Sequence, residues 1–431
     1  MFRIMRGLDD ISRSRNYFIL EGITGVSQFV LTTGAFLAGF ISLLGGGDDI
    51  NGVIAVIPAA TGIFQIFSSV FFEKMASRKK AIISVASIFR ILLATIYFIP
   101  ILLLKTGYSL QLFVLIYCLS YGLNAFLMPA VANWMINLTP IEIRGQYTAM
   151  KDKISLFVSA ILTISLGGVL DYWDRAGNKY AGFIIIGSIL LLLAMINVFA
   201  LSKISEPKEK NIQRNYRVKD TVTIPLQSVS FRKVIILYVI WNIGLQIGGP
   251  YVAVYMVTSL ELSYTFMMAL SVVATMVRVL CSSYWGRLAD KKSWFLSTKF
   301  SILILAITHF MWAFVTESNY IILTPLLHIS AGFAWAGVGI SLFNIQFLFA
   351  KKEGRTMYIG LNAALGGIFS FLSASLGSKI INLLEGTQLT MGFFAFNGMQ
   401  VVFLLSGLLL LACPLYVHFF FENKELVMET D

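Results

Sequence analysis

The sequence predicts an all-α polytopic membrane protein with twelve transmembrane helices, and three observations carry that reading. Charged residues are only 13% of the 431 positions and hydrophobic residues 57%, with a mean hydropathy of +0.80; a soluble domain carries about a quarter charged residues. The apolar residues come in runs of about 20 or more, enough to cross a ~30 Å hydrocarbon core at ~1.5 Å per residue. Those runs lack the period-2 alternation of a membrane-barrel strand. A helix satisfies its own backbone hydrogen bonds in lipid, so a helical bundle is the architecture that remains.

In order, the spans fall at 17–44, 50–72, 81–104, 109–138, 150–172, 180–202, 233–258, 264–285, 294–316, 320–349, 356–383 and 393–421. The narrowest separation lies between the seventh and eighth, where Ser259 to Ser263 is the whole loop. Twelve spans and short loops use up the chain and leave no room for a soluble domain. The net charge of +11 follows this topology. One side collects Arg3, Arg6, Arg13, Arg15, Lys74, Arg78, Lys79, Lys80, Arg144, Lys151 and Lys153. The same side takes the 203–233 segment, Arg287, Lys291, Lys292, Lys351, Lys352 and Arg355. The other side has only Lys105, Arg175, Lys179 and Lys379, beside acids such as Asp48, Asp49 and Glu317. Cytoplasmic loops carry the Lys/Arg excess, which puts both termini in the cytoplasm and the expected location in a cell (inner or plasma) membrane. The positive charge therefore answers to a bilayer, and nucleic acid is excluded as a partner.

Cys118, Cys281 and Cys413 lie singly in apolar spans, with neither metal spacing nor a disulfide framework; they read as small packing residues. No ATP-binding motif is present, and no cofactor is expected. Sixteen residues precede the first span without a small-residue cleavage site, so no removable signal peptide is expected. Phe2, Ile4, Met5, Leu8 and Ile11, interleaved with Arg, read as a short amphipathic surface helix.

The longest polar stretch, 203–232, separates six spans from six, dividing the chain into a bundle at 1–202, a charged cytoplasmic linker, and a second bundle at 233–431. A duplication follows from the loops. Asn133, Arg144 and Tyr147 recur as Asn344, Arg355 and Tyr358, each at an offset of 211 (344 − 133, 355 − 144, 358 − 147). Lys74, Arg78 and Lys79 recur as Arg287, Lys291 and Lys292 at an offset of 213 (287 − 74, 291 − 78, 292 − 79). Two near-equal offsets at equivalent topological places point to two pseudo-symmetric six-helix bundles.

Six plus six helices, termini inside, a basic central linker and basic loops after helices 2 and 8 resemble the major facilitator superfamily. Its loop signature of Gly, two residues, Ala/Asp and then basic residues is similar to Gly286-Arg287-Leu288-Ala289-Asp290-Lys291-Lys292. The first-half copy departs from it, with Glu73 in place of Gly and Ser77 in place of Asp. The resemblance implies a secondary active or facilitative transporter of a small organic solute, the two halves alternating access to a site near the midplane. It places helices 1, 4, 7 and 10 around the cavity and gives Asp290 and Arg287 a part in the cytoplasmic gate. Proton-coupled drug exporters of the same fold are an alternative, although the fourth span has no Arg in its apolar core and the fifth has Gly167-Gly168 without a Gly-Pro pair.

Polar residues in hydrocarbon are the candidate site residues, because each is costly there unless it works or joins helices. Glu21, Thr24, Gln28 and Thr32 share one face of the first span; Tyr117, Tyr121, Asn124 and Met128 do so in the fourth. Tyr238, Asn242, Gln246 and Gly249 repeat the pattern in the seventh, and His328 and Trp335 in the tenth. Arg278, about ten residues from the inner end of its span and so ~15 Å deep, is the candidate for binding an anionic substrate group. The substrate-binding set is thus Arg278, Gln28, Tyr121, Asn124, Asn242, Gln246 and Trp335. Glu21 is the candidate proton carrier, with pairing to a basic loop residue or Arg90 as its other reading. Arg90, His309 and His418 read as paired, packing or interfacial residues. Asn133, Arg144, Asn344 and Arg355 join Asp290 and Arg287 as candidate gate residues. Gly45-Gly46-Gly47 lies in an outside loop and is no phosphate loop.

Three function classes remain: a transporter, a membrane-embedded enzyme, and a non-transporting receptor or scaffold. Three scattered His and one shallow Glu disfavour the enzyme. One deep Arg and no deep acid disfavour polycations and leave carboxylates, zwitterions, sugars and amphiphiles open; the expectation is an anionic or zwitterionic solute, with H+ or Na+ as coupling ion and a monomeric chain, although neither ion nor oligomeric state is read from these residues.

Overall fold

The structure, a computed structural model, describes residues 10–72, 75, 77–103, 106–139, 144–206, 217–350, 355–391 and 394–421. The chain runs through α1 (Asp10–Leu31), α2 (Gly34–Leu43), α3 (Asp48–Ala55), α4 (Ile57–Ala60), a 3-10 turn (Thr61–Phe64), α5 (Gln65–Phe72), α6 (Lys79–Thr95) and α7 (Ile99–Leu102). It continues through α8 (Ser109–Asn137), α9 (Arg144–Arg175), α10 (Lys179–Lys203), α11 (Val218–Gln227), α12 (Val229–Thr258), α13 (Tyr264–Lys291) and α14 (Trp294–Trp312). Next come α15 (Tyr320–Phe349), α16 (Arg355–Leu383), the antiparallel hairpin β1 (Leu389–Met391) and β2 (Phe394–Phe396), α17 (Gly398–Leu410) and α18 (Ala412–Phe420).

Among the described residues ten helical stretches are long and apolar enough to span a bilayer, and the bent pair α1–α2 makes eleven. The third span expected from sequence is broken: α6 has 17 residues, and α7 follows with Pro100 in its first turn. Proline has no N–H to donate back, which also explains why α17 and α18 part at Leu411, just before Pro414.

The expected first span, 17–44, is a helix bent by 43° between Leu31 and Gly34. Its cause is local. Thr32 and Thr33 hydroxyls bond back to Gln28 O and Phe29 O at 2.8 and 2.7 Å, and Gly34 takes φ +59°, which a Cβ would oppose. The break frees backbone carbonyls that lipid cannot hydrate. Tyr97, in the turn between α6 and α7, donates to Leu31 O at 2.5 Å, and Tyr117 of α8 donates to Thr32 O at 2.8 Å, so both carbonyls are satisfied.

Two compact units emerge from the contacts: Met1–Gly46, Phe64–Val218 and Ser263–Met268 in the first, and Gly47–Ile63, Lys219–Leu262 and Ala269–Asp431 in the second. In the first, α1 packs on α9 and α10, and α8 on α5 and α6. Phe40 anchors its core, with ring centroids 4.7, 5.4 and 5.0 Å from Tyr97, Phe113 and Phe183. In the second, α12 packs on α16 and α17, and α14 on α15 and α17, around Phe231, Trp241, Leu305 and Leu342. Large apolar side chains such as Phe157 and Leu280 are left exposed, as a lipid-facing surface requires.

Candidate functional site

The α1 stripe is buried along its whole length: Glu21, Thr24, Gln28 and Thr32 are each at most 9% exposed. Spacing of three and four residues brings them to one face, and each finds a partner on another helix. Asn197 of α10 donates to Glu21 O at 3.0 Å and to the Thr24 hydroxyl at 2.6 Å. Gln28 donates to Leu190 O at 3.2 Å and accepts from Arg90 Nη1. Thr32 shares a 2.8 Å bond with the Tyr121 hydroxyl of α8.

Glu21 lies between two cations. Its Oε1 is 3.2 Å from Arg90 Nη2 on α6, and its Oε2 is 3.6 Å from Lys151 Nζ on α9. Two glycines make room for them. A Cβ on Gly22 would stand 2.4 Å from Lys151 Cε, and one on Gly25 would stand 3.3 Å from Arg90 Nη2. Arg90 also rests on the Phe89 ring, 4.8 Å from its centroid, while its buried Nε has no hydrogen-bond partner among the described residues. The cluster opens into a cavity of about 380 Å³ lined by Glu21, Gln28, Arg90, Tyr121, Asn124 and Lys151. Two cations against one carboxylate leave one net positive charge, with guanidinium and ammonium N–H groups to spare for an anion.

The stripes expected on the first and fourth spans thus meet: Glu21, Gln28, Tyr121 and Asn124 line one cavity. Gln246 and Trp335 line another, of about 380 Å³, in the second unit, together with His309, Trp312 and His328. Asn242 lines neither; it donates to Tyr238 O at 2.7 Å and accepts from Ser370 at 2.9 Å, joining α12 to α16. Arg278 is exposed and lines neither cavity, its Nη2 lying 3.1 Å from where a Gly339 Cβ would stand. Of the gate residues, Arg287 is exposed and Asn344 donates to Ile340 O of its own helix at 2.5 Å. The side chains of Asp290, Asn133, Arg144 and Arg355 lie outside the described residues.

Sequence reasoning missed Lys151, counted there as a loop cation; the signal was Gly22 and Gly25 in the turn after Glu21, which clear space for bulky partners. It also missed Glu206. That carboxylate accepts from the Ser77 hydroxyl at 2.8 Å and from the amides of Arg78 and Lys79 at 2.5 and 3.1 Å, capping the start of α6. Burial works against its charge, but the Ser77 bond, the two amides and the Lys79 charge prevail and hold the carboxyl below its ordinary range.

A profile of the Major Facilitator Superfamily matches residues 18–374. The chain belongs to this superfamily. No curated protein matches it in sequence. Among solved structures, a variant of the nucleoside transporter NupG is similar at 14% identity and a TM-score of 0.68, covering 93% of this chain and 98% of its own. A D-xylose-proton symporter is similar at 14% identity and a TM-score of 0.67, covering 94% and 96%. A partially occluded, inward-open xylose transporter XylE from E. coli is similar at 14% identity and a TM-score of 0.62, covering 94% and 98%. At such identities the likeness shows the fold. This superfamily member is a multi-pass membrane transporter, and alternating access is how its fold moves a solute.

Proposed function

We propose that this superfamily member carries a small organic anion or zwitterion, bound at Arg90 and Lys151, with H+ as the coupling ion on Glu21. The observation that carries the reading is the buried Arg90–Glu21–Lys151 cluster with its net positive charge, facing a cavity of solute size. An anion on Arg90 and Lys151 is a second negative charge beside Glu21, so its binding favours the protonated carboxyl. Linkage is reciprocal: a proton on Glu21 releases its hold on both cations and favours the anion. Coupling then needs no group beyond these three. Arg278 points over Gly339 and outside both cavities, so Arg90 and Lys151 are the better-supported anion ligands. Two six-helix halves, a linker at 203–232, cytoplasmic termini and a cell-membrane location complete the proposal, supported by the Lys/Arg asymmetry of the loops.

The test is binding and counterflow of a panel of small carboxylates and matched neutral solutes. Arg90→Ala is expected to lower carboxylate exchange by about a hundred-fold, with Arg90→Lys between it and wild type, because a lost charge-assisted pair is worth ~1.5–3 kcal/mol. Carboxylate exchange unchanged in well-expressed Arg90→Ala would remove the cluster from substrate binding.

A further inference from the structure

The first residues of α13, Ser263–Met268, pack with the first unit, whereas the helix from Ala269 onward belongs to the second. An acid on α9 holds this first turn. The Asp171 carboxylate accepts from the Tyr264 and Thr265 amides at 2.7 and 2.8 Å and from the Thr265 hydroxyl at 2.5 Å. Those amides open α13 and have no acceptor within their own helix, and the helix dipole favours an anion beside them. Two glycines let the turn approach α9. A Cβ on Gly167 would stand 3.3 Å from the Tyr264 carbonyl carbon and 3.1 Å from Met268 Cγ, and one on Gly168 would stand 3.8 Å from the Thr265 hydroxyl. The Gly167-Gly168 pair of the fifth expected span thus serves this contact.

Tyr264 is the side chain that the turn inserts. It is 4% exposed, stacks on Phe36 of α2 with centroids 6.5 Å apart, and has Lys179 Nζ 5.9 Å from its ring centroid. Its hydroxyl is buried with no hydrogen-bond partner among the described residues, beside Gly39, where a Cβ would run into it. A buried hydroxyl without a partner is less stable than the same hydroxyl in water. One contact therefore contains two opposed parts: Asp171 favours the docked turn, and the Tyr264 hydroxyl opposes it. Asp171 is only half-buried, so water takes over its lone pairs when the turn leaves. The helix also keeps a cap of its own, since the Ser263 hydroxyl accepts from the Phe266 amide at 3.3 Å. The turn can depart as helix, without unravelling.

We propose that the first turn of α13 is a releasable plug in the first unit, with Asp171 as its catch and the unpaired Tyr264 hydroxyl as a built-in bias toward release. Packing alone would be served better by Phe at position 264, which fills the same socket with no polar atom to bury. The hydroxyl keeps the docked and released states close in free energy, as an element that must alternate between two states requires. Release exposes Phe36, Gly39 and Gly167 and leaves the rest of α13 intact.

The experiment uses the full chain in lipid nanodiscs with no solute added, and reads the turn in two ways. One is hydrogen exchange of the 263–268 amides. The other is labelling of Met268→Cys by a water-soluble maleimide, with Cys118, Cys281 and Cys413 replaced by Ala. Tyr264→Phe is expected to slow both by about ten-fold, the size of one unpaired buried hydroxyl. Asp171→Ala is expected to speed both by at least about ten-fold, with Asp171→Asn between it and wild type. Amides around Trp285, deeper in α13, should exchange as in wild type in every variant. Tyr264→Phe removes a single oxygen and keeps the fold, so exchange as fast as wild type or faster in that variant overturns the proposal. Unchanged rates in Asp171→Ala, or in Asp171→Asn should the alanine variant not fold, also overturn it. So does a loss of protection that spreads to Trp285, because the helix would then be melting and not undocking.

Discussion

Glu21 holds Arg90 and Lys151 only because Gly22 and Gly25 leave their side of α1 bare. A larger residue at Gly22 has to displace Lys151 or shift α9, and overpacking of this kind costs about 1–3 kcal/mol. Gly22→Val is therefore expected to lower the melting temperature and to weaken carboxylate exchange. In a Lys151→Ala background the same substitution should cost less stability, because the clash is gone; equal costs in both backgrounds would show that Lys151 is not what Gly22 accommodates. At this scale the sequence was informative about faces and silent about partners. The spacing of Glu21, Thr24, Gln28 and Thr32 announces one buried face. That Arg90 and Lys151 converge on it depends on which helices pack against α1, and spacing within one helix carries no such information. Arg278 illustrates the reverse: a lone Arg deep in a span draws notice, yet depth along a helix does not say which way the helix turns it.

Helices were readable as spans and less so as breaks. The run 17–44 reads as one continuous span; the Thr32–Thr33–Gly34 sequence bends it, through hydroxyl back-bonds and a left-handed glycine whose effects do not lower hydropathy. Pro100 breaks the third expected span, and Pro414 interrupts the twelfth between α17 and α18 without dividing it, for a reason sequence does show. At the start of α6, Glu206 ties the end of α10 to the loop after the second expected span. Its folded-state carboxyl is held below the ordinary 4.5, so by linkage the contact stabilises above the unfolded value and is lost as pH falls through the folded one. Glu206→Gln keeps a carbonyl acceptor but loses the charge. It is expected to abolish the part of the acid-induced loss of stability below about pH 4.5 that comes from this site, while leaving neutral-pH exchange measurable; an unaltered acid stability profile would show that the cap contributes nothing.

For the molecule as a whole, the loop charges and the near-constant offset between inside loops were the most legible features. They point to two related halves, and the superfamily match over 18–374 accords with that fold. The two cavities were less legible because each is assembled from several helices, one lined by Arg90, Lys151 and Glu21 in the first unit and one without charged residues in the second. The central claim is that anion and proton meet on one buried cluster. Its most direct measurement is accumulation of small carboxylates in proteoliposomes under an imposed pH gradient, with wild type beside Glu21→Gln. The account predicts gradient-driven accumulation by wild type, and in Glu21→Gln a loss of that accumulation with counterflow retained. Accumulation with the same pH dependence in both proteins would contradict it.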